Sequence, residues 1–323
     1  MSIDSLGTFI DQAPNAPEDA WDYDAVTRLA GLSMPGAIFG DDESIMKGDQ
    51  YRLWLRWFLE GVASPHVFAR DATAGRLDVF RAAFRRISEI YPTVDELRRK
   101  NVADKVAGLI FSEVEKLRRG RERDFASSST RQSLIRAATT PRCYICGYAF
   151  TPEAIDAFLR VKGRDPVRLP GMVDILRPRG LTERDIGIEI EHVVPVAAGG
   201  SGQGNLRLAC GWCNIHKSSR LSLYEVAHLP PRTAAFQIGP HRLHELPAPF
   251  WTVRLLALRG RCQHGSGCPE TAQSSELFIA YRDWSGSPNP TNLAVYCQKH
   301  DPVAGVRMDY AATVKKLWED RRR

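Results

Sequence analysis

The first 142 residues contain no cysteine, although the chain of 323 residues has seven. Any thiol-based metal site or disulfide framework is thereby excluded from the N-terminal part. Apolar runs are short: none approaches the roughly 18 residues a membrane-crossing helix needs, so neither a membrane span nor a membrane partner is expected. The opening MSIDSLGTFIDQAPNAPEDA lacks a basic stretch followed by an apolar one, which argues against an export signal. These absences lead us to expect a cytoplasmic protein, in a reducing compartment where paired cysteines more often hold metal than form disulfides. No coiled-coil heptad is sustained, and nothing in the pattern decides the oligomeric state. What is present is an ordinary folded composition, with 43% hydrophobic and 25% charged residues and a formal net charge of +6. A pI near 9.0 suits a polyanionic partner without requiring one.

The order of elements suggests several modules. Residues 1–20, rich in Asp, Pro and Ala, read as disordered or loosely attached. Residues 21–130 read as a helical domain. Tyr51, Trp54, Leu55, Phe58 and Val62 recur at helical spacing, as do Leu77, Phe80, Phe84, Ile87 and Tyr91. Val102, Val106, Leu109, Ile110, Val114 and Leu117 make a third stripe. Packing explains such stripes outright, so all three are expected to face a core. Pro92 should end one helix, and Thr93 with Glu96 has capping-box spacing for the next. A protein partner is the natural ligand of this domain if it has one. The run Arg118-Arg119-Gly120-Arg121-Glu122-Arg123, followed by Ser127 to Thr130, reads as a basic linker, either a solvated joint or a phosphate-contacting arm.

After residue 142 the cysteines fall into a pattern. Cys143-Tyr-Ile-Cys146 and Cys210-Gly-Trp-Cys213 are two C-x2-C turns, each of which points two thiolates at one ion. Together they predict a closed tetrahedral zinc site, structural because no position is left open. Between the pairs lie Glu191-His192-Val-Val-Pro195, Gly199-Gly200 and Asn205-Leu206, and Asn214 and Lys217 follow the fourth cysteine. This ordered set, over about residues 140–220 of a module read as 131–228, resembles the HNH endonuclease family. The resemblance implies a ββα-metal module that hydrolyses phosphodiester bonds. His192 would be the general base, a role that a side chain titrating near neutrality suits. Glu191 and Asn214 would give oxygen ligands to a catalytic Mg²⁺ or Mn²⁺, and Asn205 would fix the loop that orients His192. His216 is an alternative ligand to Asn214. Departures from the family pattern are Glu rather than Asp before the histidine, Asn rather than His at the third position, and a basic insert over 151–187. Thr151 to Val161 in the insert reads as a capped amphipathic helix. Lys217 and the insert's Arg160 and Arg164 are candidate phosphate contacts, and Lys162, Arg168, Arg177 and Arg179 add to its charge.

The region 249–323 echoes the first module. Arg261-Cys262 follows a helical stretch as Arg142-Cys143 does, and Asn292-Leu293 precedes Cys297 as Asn205-Leu206 precedes Cys210. Cys262, Cys268, Cys297 and His300 are expected to form a second zinc site, of three thiolates and one imidazole, with His264 as a substitute for His300. No acidic–His pair lies near 275–285, so this treble-clef-like module is read as one that kept zinc, lost the base and serves binding. The expected fold is α+β: a helical domain, an HNH module with structural zinc, and the second zinc module. The resemblance implies a DNA endonuclease or nickase, with RNA open as substrate, in antiviral defence or a mobile element. A catalytically silent zinc-dependent DNA-binding protein and a toxin nuclease are the alternatives.

Overall fold

The computed structural model describes residues 3–13, 23–119, 127–195, 202–226, 236–243, 245–284 and 288–320. Gly199, Gly200, Gly120, Arg121, Glu122 and Arg123, named above, lie outside them. Among the described residues, twelve α-helices and four two-stranded antiparallel sheets make an α+β fold. The chain divides into two compact units, Met1–Gln50 and Tyr51–Arg323.

Helices α1 (Ile3–Gln12) and α2 (Tyr23–Ala30) belong to the first unit. The stretch read as disordered thus contains a helix, though one with no buried residue. Helix α3 (Asp42–Val62) is followed by α4 (Pro65–Arg70), α5 (Arg76–Ile90) and α6 (Glu96–Arg119). Their core is Leu59, Ala69, Val79, Ala83, Ala107, Ile110 and Val114. Three alanines in that set let the helices approach closely, and the larger side chains sit on the flanks. The predicted stripes hold in part: Ile110 and Val114 lie in this core, and Val62, Phe80, Val106 and Leu117 pack against it. Tyr51, Trp54, Leu55 and Phe58 are 50–63% exposed, and Leu77, Tyr91, Val102 and Leu109 are exposed too. Helical periodicity marks an apolar face but does not say which apolar face a neighbour covers.

The cap of α6 is also corrected. Asp95, not Thr93, accepts from the Arg98 amide at 3.0 Å, so the helix starts at Glu96. Arg118, read as linker, is spent inside the fold: its Nη2 donates to the carbonyl of Phe68 in the last turn of α4 and to those of Asp71 and Ala74 after it.

The remaining elements form two modules of one plan. In the first, α7 (Ser128–Arg136) leads to a knuckle closed by an Arg142–Ala149 bridge. Then come α8 (Pro152–Leu159), β1 (Met172–Asp174), α9 (Glu183–Ile186), β2 (Ile188–His192), β3 (Leu206–Cys210) and α10 (Gly211–Lys217). Thr151 caps α8 by accepting from Ala154 N, and Arg160 ends it in the left-handed region at φ 60°. In the Pro-rich stretch, β4 (Phe236–Ile238) and β5 (His241–Leu243) form a hairpin about Gly239, φ 56°. The second module follows: α11 (Pro249–Arg259), a knuckle closed by an Arg261–Thr271 bridge, β6 (Leu277–Tyr281) and β7 (Leu293–Cys297). Last are β8 (Met308–Tyr310) and α12 (Ala311–Asp320). Tyr310, the last residue of β8, is exposed.

The two hairpins agree residue by residue. β2 and β3 pair His192 with Leu206 and Ile188 with Cys210. β6 and β7 pair Tyr281 with Leu293 and Leu277 with Cys297. The modules are joined tightly. β1 of the insert pairs antiparallel with β8 of the second module, Val173 opposite Asp309. Leu277 N donates to Cys146 O at 2.8 Å. Trp318 Nε1 donates to Ile175 O at 2.9 Å. A Cβ at Gly147, φ 74°, would stand 2.0 Å from Ser275 O, so only glycine allows that approach.

Candidate functional site

Two C-x2-C turns converge because β3 ends at Cys210 and α10 begins immediately after it, while Tyr144 N binds Leu208 O at 2.9 Å and draws the first knuckle onto β3. Cys143, Cys146, Cys210 and Cys213 are all buried, and their four sulfurs lie within 4.8 Å of one another. No disulfide joins them. Four thiols so close, in a dry interior, are a donor set that a tetrahedral zinc ion fits. Burial, and then the neighbouring thiols, push Cys210 and Cys213 well above the usual thiol range. Burial opposes ionisation of Cys146 as well, but hydrogen bonds from the other three thiols and the Arg177 charge outweigh it and hold it well below.

The second group, Cys262, Cys268, Cys297 and His300, also lies within 4.8 Å ligand to ligand. His300 enters through Nδ1, 3.5 Å from Cys297 Sγ and 3.7 Å from Cys262 Sγ. His264 stacks on the His300 ring at 4.1 Å between centroids and turns its own Nδ1 to Ser266, so it accompanies the donor group instead of replacing His300. Either group could hold a zinc ion.

The first module's hairpin carries the polar cluster. Alternation along β2 places Glu189 and Glu191 on one face, and Asn214 and Lys217, one turn apart on α10, meet them. Lys217 Nζ pairs with the Glu191 carboxylate and donates to His192 O at 2.7 Å. These two side chains are only 11% and 10% exposed. The Asn214 amide donates to Glu189, whose other oxygen accepts from Arg184 Nε at 2.7 Å. Burial raises the Glu191 carboxyl; the Lys217 contact lowers it and the Glu189 charge raises it further. Burial and Glu191 likewise raise the Tyr144 phenol. His192 closes β2. Its carbonyl is what Lys217 binds, and strand alternation sends its ring to the other side of the strand from Glu191. Trp212 and His216 stack edge to face on α10, and His216 belongs to neither metal group.

Asn205 pins the turn after His192. Its Oδ1 accepts from Val194 N and its Nδ2 donates to Val194 O, both at 2.9 Å. Asn292 does the same to Asp283, both at 2.8 Å. At the positions of Glu191, His192 and Asn214 the second module has Ala280, Tyr281 and Asp301. Tyr281 is buried with its hydroxyl on Glu245 O, and Asp301 pairs with buried Arg307.

The insert's cations divide. Arg160 and Arg164 are exposed after α8, whereas Arg177 and Arg179 are interior. Both pair with Glu276 of the second module; Arg179 also lies over the Tyr148 ring and donates to Cys146 Sγ at 3.6 Å. Sequence reasoning missed Glu189, although the alternation Ile-Glu-Ile-Glu signals it, and missed Glu276, which no local pattern marks. No family model, curated protein or solved structure matches the chain.

Proposed function

We propose that this chain is a metal-dependent HNH-type nuclease that cleaves DNA. The observation that carries the reading is the hairpin β2–β3 with α10, where one group of four cysteines fixes a helix that brings Asn214 and Lys217 against Glu189 and Glu191. Binding alone needs no such pair of carboxylates, one buried and one half-buried, beside a histidine.

The donor chemistry fits a hard divalent cation. Two carboxylates and an amide offer oxygen ligands, and Glu191 already attracts a cationic group, the Lys217 ammonium. Mg²⁺ or Mn²⁺ bound there supplies charge neutralisation at the phosphate and an acidified water. Glu191, with Asn214 or Glu189, would hold it. Lys217, once released from Glu191, carries its charge toward the phosphate. Asn205 keeps the Val194 backbone fixed and so sets where His192 leaves the strand. His192 takes the proton from the attacking water, a role that requires its ring to reach the cleft from the strand end. Zinc stays structural, since both donor groups are complete without water. Exposed Arg160 and Arg164 supply phosphate contacts, and RNA is the second polymer to test.

The experiment is cleavage of supercoiled plasmid by zinc-loaded protein with added Mg²⁺ or Mn²⁺, beside Glu191→Ala. Nicking by the wild type alone is expected. Equal nicking by Glu191→Ala, or none by either protein, contradicts the reading.

A further inference from the structure

The C-terminal half of α3 presents an apolar surface that the helical core does not use. Tyr51, Trp54, Leu55 and Phe58 fall within an arc of about 100° on the helix. They are 63%, 51%, 50% and 55% exposed, and Trp57 beside them is 58% exposed. The core takes Leu59 instead. Soluble chains rarely leave a patch of this size uncovered. Tyr51 and Trp54 are already packed edge to face, 5.7 Å between centroids, so the surface is ordered before it meets a partner.

We infer that this face is a homodimer interface in which two α3 helices pack antiparallel about a two-fold axis between Trp54 and Leu55. The pattern of residue sizes is self-complementary about that point: Gly48-x2-Tyr51-x2-Trp54-Leu55-x2-Phe58-x2-Gly61. Antiparallel pairing sets Tyr51 against Phe58, Trp54 against Leu55 and Gly48 against Gly61. A Cβ at either glycine would meet nothing within 4 Å, so both positions are open to an approaching backbone. The same register brings exposed Arg52 over Trp57, a cation–aromatic contact. A two-fold contact requires such self-complementarity, and an unrelated partner does not. Half-exposed aromatics of this size offer about 500 Å² per copy, so the pair would bury about 1,000 Å², the lower bound of a specific interface. The inference does not depend on the nuclease reading. If both hold, one assembly carries two cleavage sites.

Sedimentation velocity of the full chain at ~1–50 µM tests it. The wild type should run at twice the 36.1 kDa chain mass. Tyr51→Lys and Phe58→Glu should each weaken self-association ~30-fold, as a lost interface anchor does. The double variant should recover the dimer, because the lysine introduced at position 51 then faces the glutamate introduced at position 58. Helix content and zinc content should stay at wild-type values, since these side chains are exposed in the monomer, and Trp54→Gln provides a milder variant of the same face. A monomeric wild type throughout the range overturns the proposal and leaves the face to a different protein. A dimer indifferent to both single changes also overturns it, and a double variant no better than the singles overturns the antiparallel register.

Discussion

Glu276→Ala should destabilise the two joined cysteine modules by about 3 kcal/mol. The carboxylate accepts from Arg177 Nη2 and from Arg179 Nη2, the latter at 2.8 Å. The arginine side chains are 2% and 12% exposed and Glu276 24%, so water replaces the lost partner only in part. Removing one side of a buried ion pair costs about 3–5 kcal/mol. The low end applies because Arg179 keeps its contacts with Cys146 Sγ and the Tyr148 ring. At about 2–4 °C per kcal/mol for a unit of this size, the melting temperature should fall by about 6–12 °C. Calorimetry of the zinc-loaded protein measures it. The double variant Arg177→Met/Glu276→Leu should recover part of the loss, because it removes the more deeply buried of the two cations left without the carboxylate, while Arg179 keeps its contacts with Cys146 Sγ and the Tyr148 ring. A fall under about 2 °C for Glu276→Ala would refute the reasoning, as would a double variant less stable than the single.

Other outcomes follow from the same geometry. Metal analysis of the purified chain should find two zinc ions; Cys210→Ser should remove one and His300→Ala the other, while His264→Ala should retain both. Asn205→Ala and Asn292→Ala should each cost about 0.5–1.5 kcal/mol in denaturant unfolding, since each removes a pair of solvent-exposed bonds that water replaces in part, but only Asn205→Ala should also slow plasmid cleavage. Gly147→Ala should loosen the joint between the modules by forcing a side chain toward Ser275 O, read as faster hydrogen exchange at Leu277.

What could be read from the chain depended on how local each signal was. The four cysteines of the first group announce themselves through two short turns, and Cys262, Cys297 and His300 through an echo of the same order. The capped helix α8 was legible from Thr151 and the apolar positions after it. The docking of the insert was not. Arg177 and Arg179 look solvent-seeking in sequence, and their burial depends on Glu276, distant along the chain, and on sulfur charge brought near by folding. The apolar stripe of α3 was visible, but its covering was misjudged because periodicity carries no information about neighbours. Asp95 displaced Thr93 as the cap of α6 because its carboxylate, one residue before the helix, accepts from Arg98 N. The equivalence of Asn205 and Asn292 was visible as two Asn-Leu pairs, though their shared role became clear only from the hydrogen bonds to Val194 and Asp283.

If His192 is the base of a phosphodiester hydrolase, as proposed, single-turnover cleavage of supercoiled plasmid by His192→Ala should show it. The protein should be zinc-loaded and supplied with Mn²⁺, and the variant's fold checked by zinc content. Loss of the base should slow cleavage by about 10²–10⁴-fold at unchanged zinc content. Cleavage by His192→Ala at the wild-type rate would contradict the account.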